Sequence, residues 1–170
     1  MLKSLFQERR RSHAVHALSI LGTPPEASFD RFVSAAASSF DAPLALLSLI
    51  HADQQWFKAC HGVDVACHPR NRSFCNFALD RPDTLEVCDP CGDSRFASLP
   101  AVTGAPHIRY YIGVPLRVRS GIDVGALCVL DTRERKPASA DQKAYLLALG
   151  RQGAAALEAR ADLLRIGGVA

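Results

Sequence analysis

The sequence predicts an α+β domain built around an antiparallel sheet, and three observations lead there. The apolar strand-like segments come in pairs joined by short turns, so chain neighbours pair as hairpins. Helical patterns cluster towards the two ends instead of alternating with strands, which argues against parallel crossover units. The chain has 170 residues, 48% hydrophobic and 22% charged, enough for one packed core with terminal extensions.

The elements follow in order. Leu2–Leu21 reads as a helix, with Leu2, Leu5, Phe6, Ala17 and Ile20 at helical steps, and Gly22 as its stop. Thr23-Pro24-Pro25-Glu26 reads as a restart, with Thr23 and Glu26 forming a capping box and Pro24 at the first helical position. The second helix runs to about Phe40, with Phe29, Phe32, Val33 and Ala36 on one face. Pro43–Ile50 is an apolar run broken only by Ser48, as expected of a strand buried on both sides. His51–Gln54 turns the chain, and Gln55–His61 returns as the second strand of a hairpin. In that strand Trp56 and Lys58 alternate with Phe57 and Ala59, which favours packing as the role of Trp56.

A long connection reaches Asn71, where Ser73 is placed to cap a short helix through Leu79. Thr84–Cys88 is a short strand, and Asp89–Ala105 is loop-rich with a helical turn around Ser94–Ala97. Ile108–Arg117 and Val124–Asp131 make a second hairpin around Ser120-Gly121. Ser139-Ala140-Asp141-Gln142 is another capping-box pattern, opening a last helix to about Arg165. Along that helix Leu146, Gly150, Gly153, Leu157, Ala161 and Leu164 form a stripe at four- and three-residue steps. Two glycines on it suggest close approach of another element, either the first helix or a second subunit, with simple packing within the chain as the alternative.

Charge excludes one partner class. The formal balance of +3 arises within residues 1–21, from Lys3, Arg9, Arg10 and Arg11 against Glu8. The rest of the chain is neutral, so it lacks the basic footprint of a nucleic-acid binder. A solvated helix face is the expected place for the four basic residues. No apolar run approaches the ~20 residues of a membrane span, and the N-terminus makes a poor signal peptide. Six cysteines are then read as reduced thiols, and the expected compartment is the cytoplasm.

Ordered along the chain, Leu18–Glu26, Pro43–Leu49 and Gln55-Trp56-Phe57-Lys58 resemble the opening of a bacterial GAF domain. Ser73-Phe74-Cys75, Asp93-Ser94-Arg95-Phe96, Pro100–Gly104, Ile108–Leu116 and Gly125–Asp131 continue that resemblance, which extends over about Leu18–Arg160. It implies a GAF/PAS-like six-stranded antiparallel sheet, with N- and C-terminal helices packed on one face. A pocket on the other face would be roofed by Asn71–Leu79 and Asp89–Ala105. Candidate pocket residues are Phe57, Ser73, Phe74, Cys75, Phe77, Tyr110, Tyr111, Leu127 and Cys128. Arg109 and Tyr110 would suit an acidic or aromatic ligand if their strand turned them inward. Packing with an outward arginine is the alternative.

The thiols leave several readings open. Cys75, near a helix start, is either a reactive thiolate or a small buried hydrophobe. Cys88-Asp89-Pro90-Cys91 has the spacing of a redox pair or half a zinc site, and equally of two incidental thiols. The redox candidates are therefore Cys75, Cys88 and Cys91. Cys67-His68 could complete a zinc set, but no matching second CxxC exists, and no metal site is assigned. That pair also lacks the surroundings of GAF domains that hold a bilin, and the cyclic-nucleotide pattern of others has no place in this chain. Some short GAF proteins reduce free methionine sulfoxide with a thiol in a His-Ile-Ala-Cys-Asp segment. Here His107-Ile108 continues as Arg109-Tyr110-Tyr111, so that reductase is the alternative reading and no turnover of the sulfoxide is expected.

No GxSxG, P-loop or HExxH motif is present, so no catalytic residue and no cofactor are named. The expected organisation is an N-terminal helix and linker over 1–22, a GAF domain over 23–165 and a tail over 166–170. The expected function is a sensory and signalling module that binds an unidentified small molecule or responds to redox state. It would pair as a homodimer through its terminal helices along Leu2–Ile20 and Leu146–Leu164. With the chain ending soon after the last helix, a separate output protein is the expected recipient of the signal.

Overall fold

In the computed structural model, residues 2–168 are described. Met1 and residues 169–170, the ends of the expected N-terminal segment and tail, lie outside the described residues, as do the side chains of Leu2 in the expected helix face and of Lys3 among the four basic residues. Six strands form one sheet: β1 Leu44–His51, β2 Gln54–His61, β3 Cys67–Pro69, β4 Leu85–Val87, β5 Tyr110–Arg117 and β6 Asp123–Asp131. They lie in the order β3-β2-β1-β6-β5-β4, every neighbouring pair antiparallel. β1 and β6 occupy the centre, where their mainly apolar residues are packed on both faces.

β3 is the strand the sequence conceals. Cys67-His68-Pro69 carries no alternating pattern, yet it pairs with Gln54–Trp56 at the sheet edge, where a proline costs no interior hydrogen bond.

Period-two alternation sorts the side chains into two cores. On one face Ala45, Leu47, Leu49, Tyr110, Ile112, Val114, Leu127 and Val129 pack under α1 (Leu2–Ala17), α2 (Ala27–Phe40) and α5 (Ala140–Gly167). On the other, Leu85, Val87, Tyr111, Ala126, Cys128 and Leu130 meet Phe74, Cys75, Phe96 and Val102. Those partners come from Phe74 just ahead of α3 (Cys75–Ala78), from α3 itself, from α4 (Pro100–Thr103) and from the loop between the two helices.

The helices carry their own reasons. Phe29, Phe32, Val33 and Ala36 of α2 are all buried, each phenylalanine contributing about 2–3 kcal/mol. The capping box of α5 is complete. Ser139 Oγ accepts from the Gln142 amide at 3.1 Å, and Gln142 Oε1 accepts from the Ser139 amide at 3.1 Å.

The box expected at Thr23 and Glu26 does not form, because long-range partners take both side chains. Lys58, 95% buried in the sheet, donates to Thr23 Oγ1 at 2.9 Å, to Pro24 O at 2.7 Å and to Glu26 at 2.6 Å. Arg160 of α5 also donates to Glu26. A buried ammonium needs those acceptors more than one helix end needs its cap.

Two further expectations are corrected. The first helix stops at Ala17, and Leu5 and Phe6 face solvent while Ile20, beyond it, is buried. Nor is its basic face wholly solvated. Arg11 is 98% buried, donating Nε to Asp123 O and Nη2 to both carboxylate oxygens of Asp80, with Glu8 on Nη1. The second correction is the α5 stripe. Leu146, Gly150, Gly153, Leu157 and Ala161 are buried against the chain's own sheet, so they offer no seam to a second subunit. A Cβ on Gly150 would stand 2.7 Å from Val114 Cγ2, which is the close approach that the glycine allows.

Candidate functional site

Between the second core and its covering loops lies a cavity of about 390 Å³, within the range of small-molecule sites. Its walls are mainly apolar: Leu44, Leu46, Phe57, Phe74, Ile108 and Leu130 among them. Phe74 stacks between Phe96 and Tyr111, with ring centroids 4.9 Å apart on either side, which stiffens one wall. Val63, Arg72 and Pro106 lie at the exposed rim.

Polar groups converge at the floor. Gln55, 1% exposed, donates Nε2 to Ser48 Oγ at 2.7 Å, and Ser48 leans towards Ala126 O. Gln55 Oε1 has no hydrogen-bond partner among the described residues, a condition shared only with Trp56 Nε1 among buried side-chain polar atoms there. Beside it Cys75 and Cys128 lie sulfur to sulfur at 3.6 Å, and the Tyr111 hydroxyl donates to Cys75 Sγ at 3.5 Å. Gly113 makes room for that hydroxyl, since a Cβ there would sit 2.1 Å from it.

The two thiols titrate apart. The Cys128 hydrogen bond, aided by Tyr111, Ser48 and Gln55, overcomes burial and lowers Cys75 to about 6. Cys128, donating that bond from a buried site, is held well above the ordinary thiol value. Burial also raises Tyr111, so its hydroxyl stays a donor. Of the two readings left open for Cys75, the thiolate one does not rest on the dipole of α3, which is that of a single turn. The effect comes instead from side chains contributed by β1, β2, β5 and β6.

The GAF domain family matches residues 24–157, over three quarters of the chain. The chain belongs to the GAF family. A cyclic di-GMP phosphodiesterase of Pseudomonas aeruginosa is 38% identical to this GAF domain over 130 residues, which is 76% of the chain and 22% of that protein. The chain thus spans about a fifth of that relative's length. The GAF domain of an Acinetobacter phosphoenolpyruvate-protein phosphotransferase has a similar fold. It superposes with a TM-score of 0.66 at 17% identity, covering 93% of this chain and 94% of that one. A type II free methionine-R-sulfoxide reductase from Thermoplasma acidophilum superposes at 0.63 with 13% identity, covering 77% and 90%.

Within this GAF domain, six of the nine sequence-selected pocket residues surround the cavity: Phe57, Ser73, Phe74, Cys75, Tyr111 and Cys128. Ser73 Oγ accepts from the Cys75 amide at 3.0 Å, although the short helix that follows ends at Ala78. Phe77 sits behind, edge-on to Phe96. Tyr110 and Leu127 face the helices instead, because neighbours of inward residues on a strand must point outward. Tyr110 donates to Glu86 at 2.9 Å, where Lys143 also binds. Burial pushes the Glu86 carboxyl up, but bonds from Lys143, the Ala138 amide and Tyr110 prevail and hold it low. Arg109 donates to the carbonyls of Val102 and Ile108 and so fastens the α4 segment.

The CxxC thiols lie elsewhere. Cys88 packs beneath the helical core and Cys91 is exposed, while burial and then Glu86 raise Cys88 above its ordinary value. Among the described residues no group of three or more His, Cys, Asp and Glu could hold a metal ion. No described helix is long and apolar enough to cross a membrane.

Gln55 escaped the sequence reading. Its one signal was Ser48, the lone polar residue in the β1 run, which needs a buried partner.

Proposed function

We propose that this GAF domain is the sensory part of a signalling system and binds a small, mostly apolar molecule bearing a hydrogen-bond donor. The observation that carries this reading is Gln55 Oε1, an unpartnered acceptor at the floor of an apolar cavity. An unpaired buried carbonyl oxygen costs about 1–3 kcal/mol, which a donor on the ligand recovers. Kinship with part of a cyclic di-GMP phosphodiesterase supports a place in a signalling pathway that ends in an output activity. Six free cysteines support a reducing compartment, the cytoplasm.

Transmission would run through the sheet. Each floor residue has neighbours on the helical face, as Cys128 has Leu127 and Val129, so a ligand that favours one floor geometry favours one helix arrangement. Indole and benzofuran, alike in shape but with and without an N–H, test the pocket by NMR titration of reduced protein. Indole should bind about tenfold more tightly, and Gln55→Leu should erase the difference. Equal affinities in the wild type, or no binding of either, would refute the reading.

We infer also that two copies pair through the helix ends that remain apolar and exposed: Leu5 and Phe6 of α1, with Leu163, Leu164 and Ile166 of α5. Sedimentation should give a dimer at micromolar concentration. The double variant Leu163→Glu/Ile166→Glu should be a folded monomer. A monomeric wild type would end this idea.

A further inference from the structure

We propose that Cys75 and Cys128 are a reactive dithiol that a small hydroperoxide converts to a disulfide, giving the domain a second, redox-controlled state. Contact of the two sulfurs at 3.6 Å, between residues 53 positions apart, carries this inference. Both are buried in the protein, yet both border the cavity whose rim is exposed, so a small oxidant reaches them through it. The remaining cysteines lack this arrangement. Cys60 Sγ is engaged with Val65 O, Cys88 lies on the helical side, and Cys67 and Cys91 are exposed at the surface.

The surroundings divide the labour between the two sulfurs. Cys75 receives hydrogen bonds from Cys128 and Tyr111, which favour its thiolate as the attacking form. Cys128 keeps its proton and stands within reach to resolve the product.

In the first step the Cys75 thiolate attacks the terminal oxygen of ROOH. The O–O bond breaks, a Cys75 sulfenic acid forms, and RO⁻ takes a proton from water to leave as ROH. In the second, Cys128 sulfur attacks Cys75 sulfur and the S–O bond breaks. Hydroxide departs with the Cys128 proton as water. The hydroxide left in the first step is neutralised by the proton that Cys75 released on ionising, so the net change is two thiols and one hydroperoxide to one disulfide, one alcohol and one water, with two electrons passing from sulfur to the O–O bond.

A disulfide bond of about 2.05 Å requires the sulfurs to approach by roughly 1.5 Å. That draws α3 in the roof onto β6 in the floor and removes the thiolate that Tyr111 serves. The oxidised state is thus a narrower pocket, whichever molecule the reduced pocket takes.

Titrating reduced protein with one equivalent of hydrogen peroxide or tert-butyl hydroperoxide, followed by intact mass and peptide mapping, tests the proposal. The expected product has lost two hydrogens, contains a Cys75–Cys128 cross-linked peptide, and reverts with dithiothreitol. Cys128→Ser should stop at a Cys75 sulfenic acid that dimedone traps, while Cys75→Ser should yield no cross-link. Oxidation confined to Cys88 and Cys91, or a Cys75 that stays reduced in the wild type, would overturn it. The wild-type map is decisive even where a serine variant folds poorly. Because indole binding is measured on reduced protein, failure of either proposal is recognised separately.

Discussion

Leu157→Glu should abolish the cooperative folding of this domain. Leu157 is fully buried between α5 and the sheet, in the same core as Leu146, Val114 and Leu47. Removing a leucine from such a site costs about 2–5 kcal/mol, and an ionised carboxylate there adds a desolvation penalty of several more. The sum reaches the ~5–15 kcal/mol that holds a domain together. Urea titration followed by circular dichroism should show no native baseline. Leu163→Glu provides the contrast: six residues further on, at 70% exposure, it should keep a native baseline and a cooperative transition. A folded Leu157→Glu protein with a wild-type midpoint would mean that α5 is not seated on this sheet.

The second large effect is expected at Arg11. Replacing it with alanine removes a guanidinium that satisfies Asp123 O and faces Asp80 and Glu8. Those carboxylates are 47% and 34% exposed, so water rehydrates them after the loss and the cost falls below that of a fully buried pair. About 2–3 kcal/mol is expected. Arg9→Ala and Arg10→Ala, two and one positions away but exposed, should change nothing measurable. Hydrogen exchange locates the effect, since amides of α1 should lose protection before those of β1 and β6. An unchanged Tm, or uniform loss across the sheet, would contradict the assignment.

Arg11 also marks where sequence reasoning stops. Nothing separates it from Arg9 and Arg10 except that its helix face meets Asp80 and Asp123, residues distant in the chain. The same limit explains Thr23 and Glu26. Their capping pattern is local, whereas Lys58 and Arg160 arrive through the fold and claim the same oxygens. What was legible rests on patterns that tertiary contacts reinforce. The apolar runs at Leu44–His51 and Asp123–Asp131, the face Phe29–Ala36 and the Ser139 box all belong to this kind.

In the site, adjacent pairs such as Tyr110–Tyr111 and Leu127–Cys128 were bound to split, because a strand turns only alternate residues inward. The register decides which half. For the thiols, short-range spacing drew attention to Cys88 and Cys91, while the pair in contact spans two elements and leaves no local mark.

The Arg11 anchorage gives α1 a mechanical role. Asp80 follows α3 in the cavity roof, and Asp123 begins β6, the central strand of its floor. The Asp80 amide also donates to Asp123 Oδ2 at 2.8 Å, so roof, floor and helix share one knot. Torque on α1 is therefore delivered to both jaws of the cavity at once. Under the proposed function, a ligand that shifts those jaws would turn α1 as a lever about Arg11.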